Sequence, residues 1–390
     1  MSRVVIVGGS AAGLATAEAL RRFHYDGELV VVGDEVCDAY DRPPLSKQVL
    51  AGEWDEARAA LFPPARLERI GAELRLGRRA VGLDIEQRRL ELDDGAPLSY
   101  DDVVLATGVR PRTLPDSDAE GVFVLRTLDH SRALGAAVRR HGRIVIVGAG
   151  FLGLEVAATA RKLGADVVVL EPMPQPLANR IGTHAAQRLL HLHADAGVDV
   201  RCGESVEALA VSESAGGRVV RGVVTGGGEV VESSIVLVAI GCVPNTDWLA
   251  DSGLDLADGI SCDAHCQAAP HVWAAGDVAR WHHAGLGRSL RLEHRMNATE
   301  QATAVAANIT GQQRAFTPVP FFWTDHYQTK IQLAGIMPPD SEEREELEDE
   351  TSFVHSFWAE GRMVGVIGWN AAKAMMPLRR ALDLSERVPA

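Results

Sequence analysis

The chain is poor in cysteine and in basic charge, and it has no long apolar run. Its five cysteines are Cys37, Cys202, Cys242, Cys262 and Cys266. None forms a Cys-x-x-Cys pair, and none has zinc or iron–sulfur spacing. A dithiol redox motif and a resident metal are therefore not expected. Small, half-buried structural thiols in a reducing, cytoplasmic setting are the simpler reading. Lys and Arg number 39 against 53 Asp and Glu, for a formal net charge of −14. That excess of acid argues against nucleic acid as a general partner. No apolar run reaches the ~18 residues of a membrane-spanning helix, so no membrane partner is expected. The start, Met1-Ser2-Arg3 followed by apolar residues, is faintly signal-like, but a different motif accounts for it, and targeting is rejected.

That motif occurs twice. Gly8-Gly9-Ser10-Ala11-Ala12-Gly13 follows the apolar strand Val4-Val5-Ile6-Val7, and Gly148-Ala149-Gly150-Phe151-Leu152-Gly153 follows Ile144-Val145-Ile146-Val147. In such a loop a strand ends, the chain turns tightly, and a helix begins with its amides aimed at a pyrophosphate. The first glycine permits the turn, the second lets the phosphates approach, and the third lets helix and strand pack. The second loop matches in full. The first carries Ser10 at the middle position, where a small hydroxyl is able to bond a phosphate. After each loop a helix and another strand follow, and then an acid: Asp34 lies 21 residues after Gly13, and Glu171 lies 18 after Gly153. An acid at this offset accepts from a ribose hydroxyl. Glu171 also repels a 2′-phosphate, and Pro172-Met173-Pro174-Gln175 offers no arginine to receive one, so NADH is expected over NADPH. Two loops imply two dinucleotides held together, a need met by hydride transfer between a nicotinamide and a flavin.

The order of patterns implies one nucleotide domain inserted in another, both α/β with parallel, Rossmann-like sheets. Residues 1–112 form the first segment, ending in the strand Asp102 to Ala106 and the turn Thr107-Gly108. Residues 113–240 form the inserted unit, closed by the strand Ile235 to Ile240 before Gly241. Residues 241–315 return to the first domain through a strand from His271 to Ala275, the turn Gly276-Asp277 and a helix between Arg291 and Ile309. His282-His283 reads as a polar turn. Residues 316–390 have strand-like runs but no glycine fingerprint, and fit a C-terminal α+β domain for dimerisation or partner docking. The run from Asp340 to Glu350, with eight acids and one arginine, reads as a solvated loop or edge.

The string Tyr40-Asp41-Arg42-Pro43-Pro44-Leu45-Ser46-Lys47 is long and unusual. Together with both loops, Leu105-Ala106-Thr107-Gly108, Ala275-Gly276-Asp277 and Pro320-Phe321-Phe322-Trp323-Thr324-Asp325, it resembles the FAD-dependent NAD(P)H–ferredoxin reductases of bacterial oxygenase systems. The resemblance covers essentially the whole chain. It implies a glutathione-reductase-like fold, with FAD resident on the first loop (Gly8, Ser10, Ala12, Gly13, Asp34) and NADH visiting the second (Gly148, Gly150, Gly153, Glu171). Arg42, the backbone near Ala80 and Arg295, Thr107, Gly108 and Arg126 are implied FAD contacts, and Gly276-Asp277 carries the aspartate for the ribityl chain. Gly241 and Glu293 are further expected cofactor-binding residues. Lys47 matches the lysine beside the isoalloxazine ring, and Glu155 the acid that pairs with it near the nicotinamide.

Chemistry supports that pair independently. A flavin that has accepted a hydride carries negative charge, which a fixed cation stabilises. A buried lysine alone tends to lose its proton, and a carboxylate holds it charged. Electrons would then leave singly to an acidic iron–sulfur ferredoxin, guided by a basic patch drawn from Arg288, Arg291 and Arg295 or from Lys373, Arg379 and Arg380. The segment Glu293-His294-Arg295 lacks the tryptophan common after Glu-His in such proteins, and Arg295 leaves a positive group where an acidic partner docks. Trp323 is either a flavin-side aromatic or core packing. The string has no cysteine, which disfavours disulfide reduction. An interaction or signalling flavoprotein resembling apoptosis-inducing factor is one alternative reading, and an NADH reductase of rubredoxin, oxygen or quinone another. The chain is expected as a monomer or homodimer.

Overall fold

The computed structural model describes residues 2–214 and 216–385. Short apolar strands alternating with alanine-rich helices must pair in parallel, because each crossover carries the chain back to the same sheet end. Arg3–Val7 accordingly lies parallel to both Glu28–Gly33 and Asp102–Leu105. The full six-stranded order is Gln267–Ala269, Val272–Ala274, Asp102–Leu105, Arg3–Val7, Glu28–Gly33, Glu73–Leu76. Residues from both ends of a long stretch of chain thus share one sheet. Strand order reverses at Arg3–Val7, the place in such sheets where a crevice opens for a ligand. The helix Ala11–Arg22 buries its alanine-rich face and packs on the helix Arg295–Ile309.

A second sheet, all parallel, runs Val198–Cys202, Asp166–Glu171, Arg143–Val147, Val236–Val238, Val122–Phe123. Its three central strands are near-continuous runs of Val, Ile and Leu, as burial on both faces demands, and the edge strands are not. The helix Phe151–Lys162 follows its central strand.

The last part is a five-stranded antiparallel sheet in the order Phe321–His326, Thr329–Gly335, Arg362–Trp369, Phe353–Ala359, Glu342–Glu348, followed by the helix Ala372–Ala381. The acid run is the sheet's fully exposed edge strand, Glu342–Glu348, where like charge discourages pairing with another chain. His282-His283 departs from the expected polar turn. It ends the strand Ala279–His283, whose alternation exposes His282 and buries His283, with Nε2 on the Pro318 carbonyl at 2.9 Å.

Candidate functional site

At the first loop the glycines are imposed by the backbone. Gly8 has φ of +126°, and a Cβ on it would lie 2.2 Å from the Ala106 oxygen; one on Gly13 would lie 1.8 Å from the Gly8 oxygen. Ser10 caps the helix with extended backbone, and its hydroxyl makes no capping bond, which leaves it for a phosphate. Beside the loop is a cavity of about 500 Å³ lined by Gly8, Ser10, Asp34, Arg42, Ala80, Thr107 and Arg126. Seven residues expected from sequence thus share one cavity with Tyr40, which opens the Arg-Pro-Pro string, and with Glu35 and Asn245, which sequence reasoning did not single out. Glu35 accepts from Arg42 Nη2 at 2.8 Å and from the Tyr40 hydroxyl. Arg42 Nη1 donates to the Arg126 carbonyl at 2.5 Å, and Arg126 Nη2 stands 3.1 Å from Asp277 Oδ2. Asn245 Nδ2 donates to the Thr107 carbonyl, 138 residues distant in sequence, at 2.9 Å. Nothing local to Asn245 marks it. Gly276 (φ +78°) brings Asp277 onto the first helix, where a Cβ would come within 2.9 Å of Ala12 Cβ. Gly108 (φ +65°) lies under the Arg126 guanidinium.

The second loop repeats the scheme, with one informative difference. A Cβ on Gly148 (φ +108°) would lie 2.6 Å from the Ala239 oxygen, and one on Gly153 would lie 2.1 Å from the Gly148 oxygen. At Gly150 a Cβ would meet nothing within 4 Å. The fold does not need glycine there, but a phosphate approaching the helix N-terminus does. Gly241 (φ +92°) likewise faces open space. Glu171 is buried, and its carboxylate accepts from Ala149 N at 2.8 Å and Met173 N at 2.9 Å. It therefore shapes the loop, and its remaining lone pairs can still accept from a ribose. The open cradle at Gly150 and the uncommitted Ser10 hydroxyl fit two bound dinucleotides.

The expected ion pair joins the Arg-Pro-Pro string to the second loop's helix. The prolines of Pro43–Ser46 fix a single 3₁₀ turn that delivers Lys47, and Glu155 sits on the second loop's helix. Lys47 Nζ is 2.7 Å from Glu155 Oε2, and the two side chains are 14% and 10% exposed. Ser46 Oγ donates to Glu155 Oε2 at 2.5 Å and Thr324 Oγ1 to Oε1 at 2.7 Å. One carboxylate thus joins the Arg-Pro-Pro string, the second loop and the C-terminal sheet. Thr324 was visible only as part of a motif.

Alternation along Phe321–His326 divides the aromatic motif. Phe322 packs on Phe151 (4.5 Å) and His294 (5.2 Å), while Trp323 neighbours Phe321 (6.3 Å). Removal from water pushes the His294 imidazole down to about 4, and its Nδ1 has no hydrogen-bond partner among the described residues. Glu293 is tied to Arg291 at 2.7 Å, and Arg291 also to Asp258 at 3.0 Å. Arg295 is not the free docking cation expected: its Nε lies 2.5 Å from Asp41, and Nη1 donates to Thr299. Of Arg288, Arg291 and Arg295, only Arg288 is exposed. Arg379 lies over the Phe321 ring at 3.7 Å.

All five cysteines are free, but Cys37 is exposed, not half-buried as expected, because it stands in the loop after Glu28–Gly33 at the cavity rim. Burial pushes the Cys266 thiol up to about 12. His184, Glu348 and His355 have ligand atoms within 4.8 Å of one another, a group drawn from three elements that sequence spacing does not reveal. Arg188 on Glu348 at 2.9 Å and Glu343 on His355 at 2.8 Å make it an ion-pair network. No helix among the described residues is long and apolar enough to cross a membrane.

Comparison with known proteins places this geometry. Residues 2–302 match the pyridine nucleotide-disulphide oxidoreductase family, and residues 321–390 a reductase C-terminal domain. Rhodocoxin reductase of Rhodococcus erythropolis is 37% identical over 336 residues, covering 85% of this chain and 78% of that protein. The anthranilate 1,2-dioxygenase ferredoxin–NAD(+) reductase component of Burkholderia cepacia is also 37% identical, with 85% and 81% covered. A ferredoxin reductase from Rhodopseudomonas palustris superposes with a TM-score of 0.94 at 33% identity, over 100% of this chain and 96% of that one. Putidaredoxin reductase in its covalent complex with putidaredoxin gives 0.93 at 30% identity, over 100% and 94%. The chain belongs to the pyridine nucleotide-disulphide oxidoreductase family, among its FAD-dependent ferredoxin reductases.

Proposed function

We propose that this protein is an NADH:ferredoxin reductase serving an oxygenase or haem monooxygenase. The observation that carries the reading is the Lys47–Glu155 pair, 2.7 Å apart and shielded where the Arg-Pro-Pro string, the second loop's helix and the C-terminal sheet meet. Residues 1–112 with 241–315 hold FAD along the cavity beside Ser10, Asp34, Arg42 and Arg126, with Asp277 toward the ribityl chain. Residues 113–240 hold NADH through Gly148, Gly150, Gly153 and Glu171, and residues 316–390 cover the site. Bound FAD supplies the change from a two-electron hydride to single electrons. Glu155 holds Lys47 in place, so that the cation needs no reorientation when negative charge develops beside it. Gly150 leaves room for the pyrophosphate, and Phe322 and His294 exclude water.

Ferredoxin docks by its acidic surface on exposed cations, Arg288, Lys373 and Arg380, and the cytoplasm is the setting in which the free cysteines persist. The test is NADH-dependent reduction of iron–sulfur ferredoxins by the FAD-reconstituted protein. Steady turnover of a ferredoxin is expected. Bleaching of FAD by NADH without turnover of any ferredoxin would leave the interaction-protein reading instead.

A further inference from the structure

A buried chain of side-chain hydrogen bonds leaves the Lys47–Glu155 pair and runs to a half-exposed tyrosine. Thr324 Oγ1 lies 2.7 Å from Glu155 Oε1 and 2.9 Å from His326 Nε2. His326 Nδ1 lies 3.3 Å from His193 Nε2, and His193 Nδ1 lies 3.0 Å from the Tyr327 hydroxyl. Thr324, His326 and His193 have no solvent exposure. Three separate stretches of chain supply the links: the helix Phe151–Lys162 (Glu155), the helix Thr183–Asp195 (His193), and the strand Phe321–His326 with the turn after it.

The directions are determined from one end. An ionised carboxylate only accepts, so Thr324 gives its single hydrogen to Glu155 and accepts from His326 Nε2–H. Burial pushes both imidazoles down to about 3, so each ring is neutral and holds one hydrogen. His326 Nδ1 therefore accepts from His193 Nε2–H, and His193 Nδ1 from Tyr327 O–H. No hydrogen in the chain points at another and no acceptor is left bare. Tyr327 has φ of +55° at the first position of a two-residue turn, where glycine or asparagine is usual. A bulky residue kept there against its backbone preference is the kind of strain that collects at functional positions. Tyr327 lines a cavity of about 410 Å³ together with Lys47, Gln48, Asp325 and Gln328, so the relay gives Glu155 a second route to a space that Lys47 also borders.

We propose that Thr324, His326, His193 and Tyr327 form a proton relay between Glu155 and solvent. The proposal rests on the ferredoxin-reductase reading, whose balance calls for it. One NADH and two oxidised ferredoxins give NAD⁺, two reduced ferredoxins and one proton. The electrons leave singly to the acceptors, and the proton leaves by a separate route. Glu155 exchanges it with the relay. In each transfer every hydrogen crosses one hydrogen bond, so for each N–H or O–H broken one is formed. Because the resting hydrogens point toward Glu155, the hydroxyls and rings turn outward first; Glu155 then gives its proton to Thr324, Tyr327 gives one to water, and the hop itself restores the resting set. These four are positioning and relay groups: Lys47 and Glu155 remain the residues at the reacting atoms.

The test uses the FAD-loaded protein with a pH-indicator dye. In wild type, proton appearance keeps pace with ferredoxin reduction. His326→Gln keeps hydrogen bonding but has no group that both takes and gives a proton at pH 7. Proton appearance and ferredoxin reduction should slow by on the order of 10-fold or more, with an enlarged solvent deuterium isotope effect. His326→Ala should be partly rescued by added imidazole. Bleaching of the bound FAD by NADH alone should be unchanged, since a hydride does not pass through solvent. Proton release by His326→Gln at the wild-type rate overturns the relay and leaves the reductase reading standing. If His326→Gln does not hold FAD, Tyr327→Phe is judged by the same two rates. If NADH fails to bleach the wild type, the reductase reading fails. The relay is then judged by ¹⁵N NMR of the resting protein, which should show both rings neutral with hydrogen on Nε2. A hydrogen on Nδ1 of either ring refutes it.

Discussion

Removing one member of the Lys47–Glu155 pair should cost far more than removing both. The two side chains are 14% and 10% exposed, so neither regains full hydration when its partner is lost. Breaking a pair so shielded costs about 3–5 kcal/mol, whereas exposed pairs are worth ~0–1. Lys47→Met leaves Glu155 ionised, with Ser46 and Thr324 still donating to it. Those two bonds soften the loss, and about 3 kcal/mol is expected. Glu155→Gln leaves Lys47 charged beside an amide oxygen, and about 2–3 kcal/mol is expected. The double variant Lys47→Met/Glu155→Gln removes both charges and should cost only about 2 kcal/mol relative to wild type, giving a coupling energy of ~3–4 kcal/mol. The measurement is urea unfolding of the four proteins at one saturating FAD concentration, because cofactor binding adds to apparent stability. A coupling below about 0.5 kcal/mol would show the pair behaving as solvated surface, and would remove the physical reason for a fixed cation at this place. The same variants separate stability from chemistry: Lys47→Met should hold FAD yet slow its bleaching by NADH in stopped flow.

Gly150→Ala should cost only about 1 kcal/mol of stability, the N-cap difference, since its Cβ meets nothing, while weakening NADH binding at least ~10-fold; unchanged NADH binding would refute the open cradle. Glu171→Ala should raise NADPH use relative to NADH, read as the ratio of kcat/KM values, and should loosen the loop through the lost Ala149 bond. Stability should fall in acid. His193 and His326 have folded values near 3 against 6.5 unfolded, so the stability gained by keeping them neutral is present above pH ~6.5 and is lost as pH falls toward 3. A Tm that holds down to pH 4 would contradict this. His355 has the opposite sign. Burial alone would lower it, but Glu343 and Glu348 together raise it, so its contribution is full below pH ~6.5 and fades as pH rises. The Tm gap between wild type and His355→Gln should therefore shrink from pH 6 to pH 9. Ferredoxin reduction should slow with added salt, since screening weakens a docking encounter between opposite charges.

Much of the site was legible because it is built from short motifs whose mechanics are local. Gly8, Gly13, Gly148 and Gly153 are required by turn geometry within a few residues of themselves, and the acids Asp34 and Glu171 follow at a set offset. The Arg-Pro-Pro string places Lys47 by fixing its own backbone. Arg295 was misjudged as a free cation because its partner, Asp41, lies 254 residues away. Glu35, Asn245, His193 and His326 were passed over for the same reason: each takes its meaning from a residue on another element.

By itself the sequence determined two parallel nucleotide-binding sheets and the glycines that turn each strand into its helix, and it raised the expectation of an unphosphorylated ribose. Those properties come from hydrophobic period, glycine conformation and charge at fixed spacing, all of which act over one strand–loop–helix unit. Tertiary structure decided which charges are free. It tied Arg291 and Arg295 to acids, joined Ser46, Lys47 and Thr324 on one carboxylate, and extended that carboxylate through His326 and His193 to Tyr327. A buried polar group costs free energy until it finds a partner, and its partners are set by how sheets and helices pack. The hydrogen-bond chain could therefore be read only once the inserted sheet and the C-terminal sheet were in place.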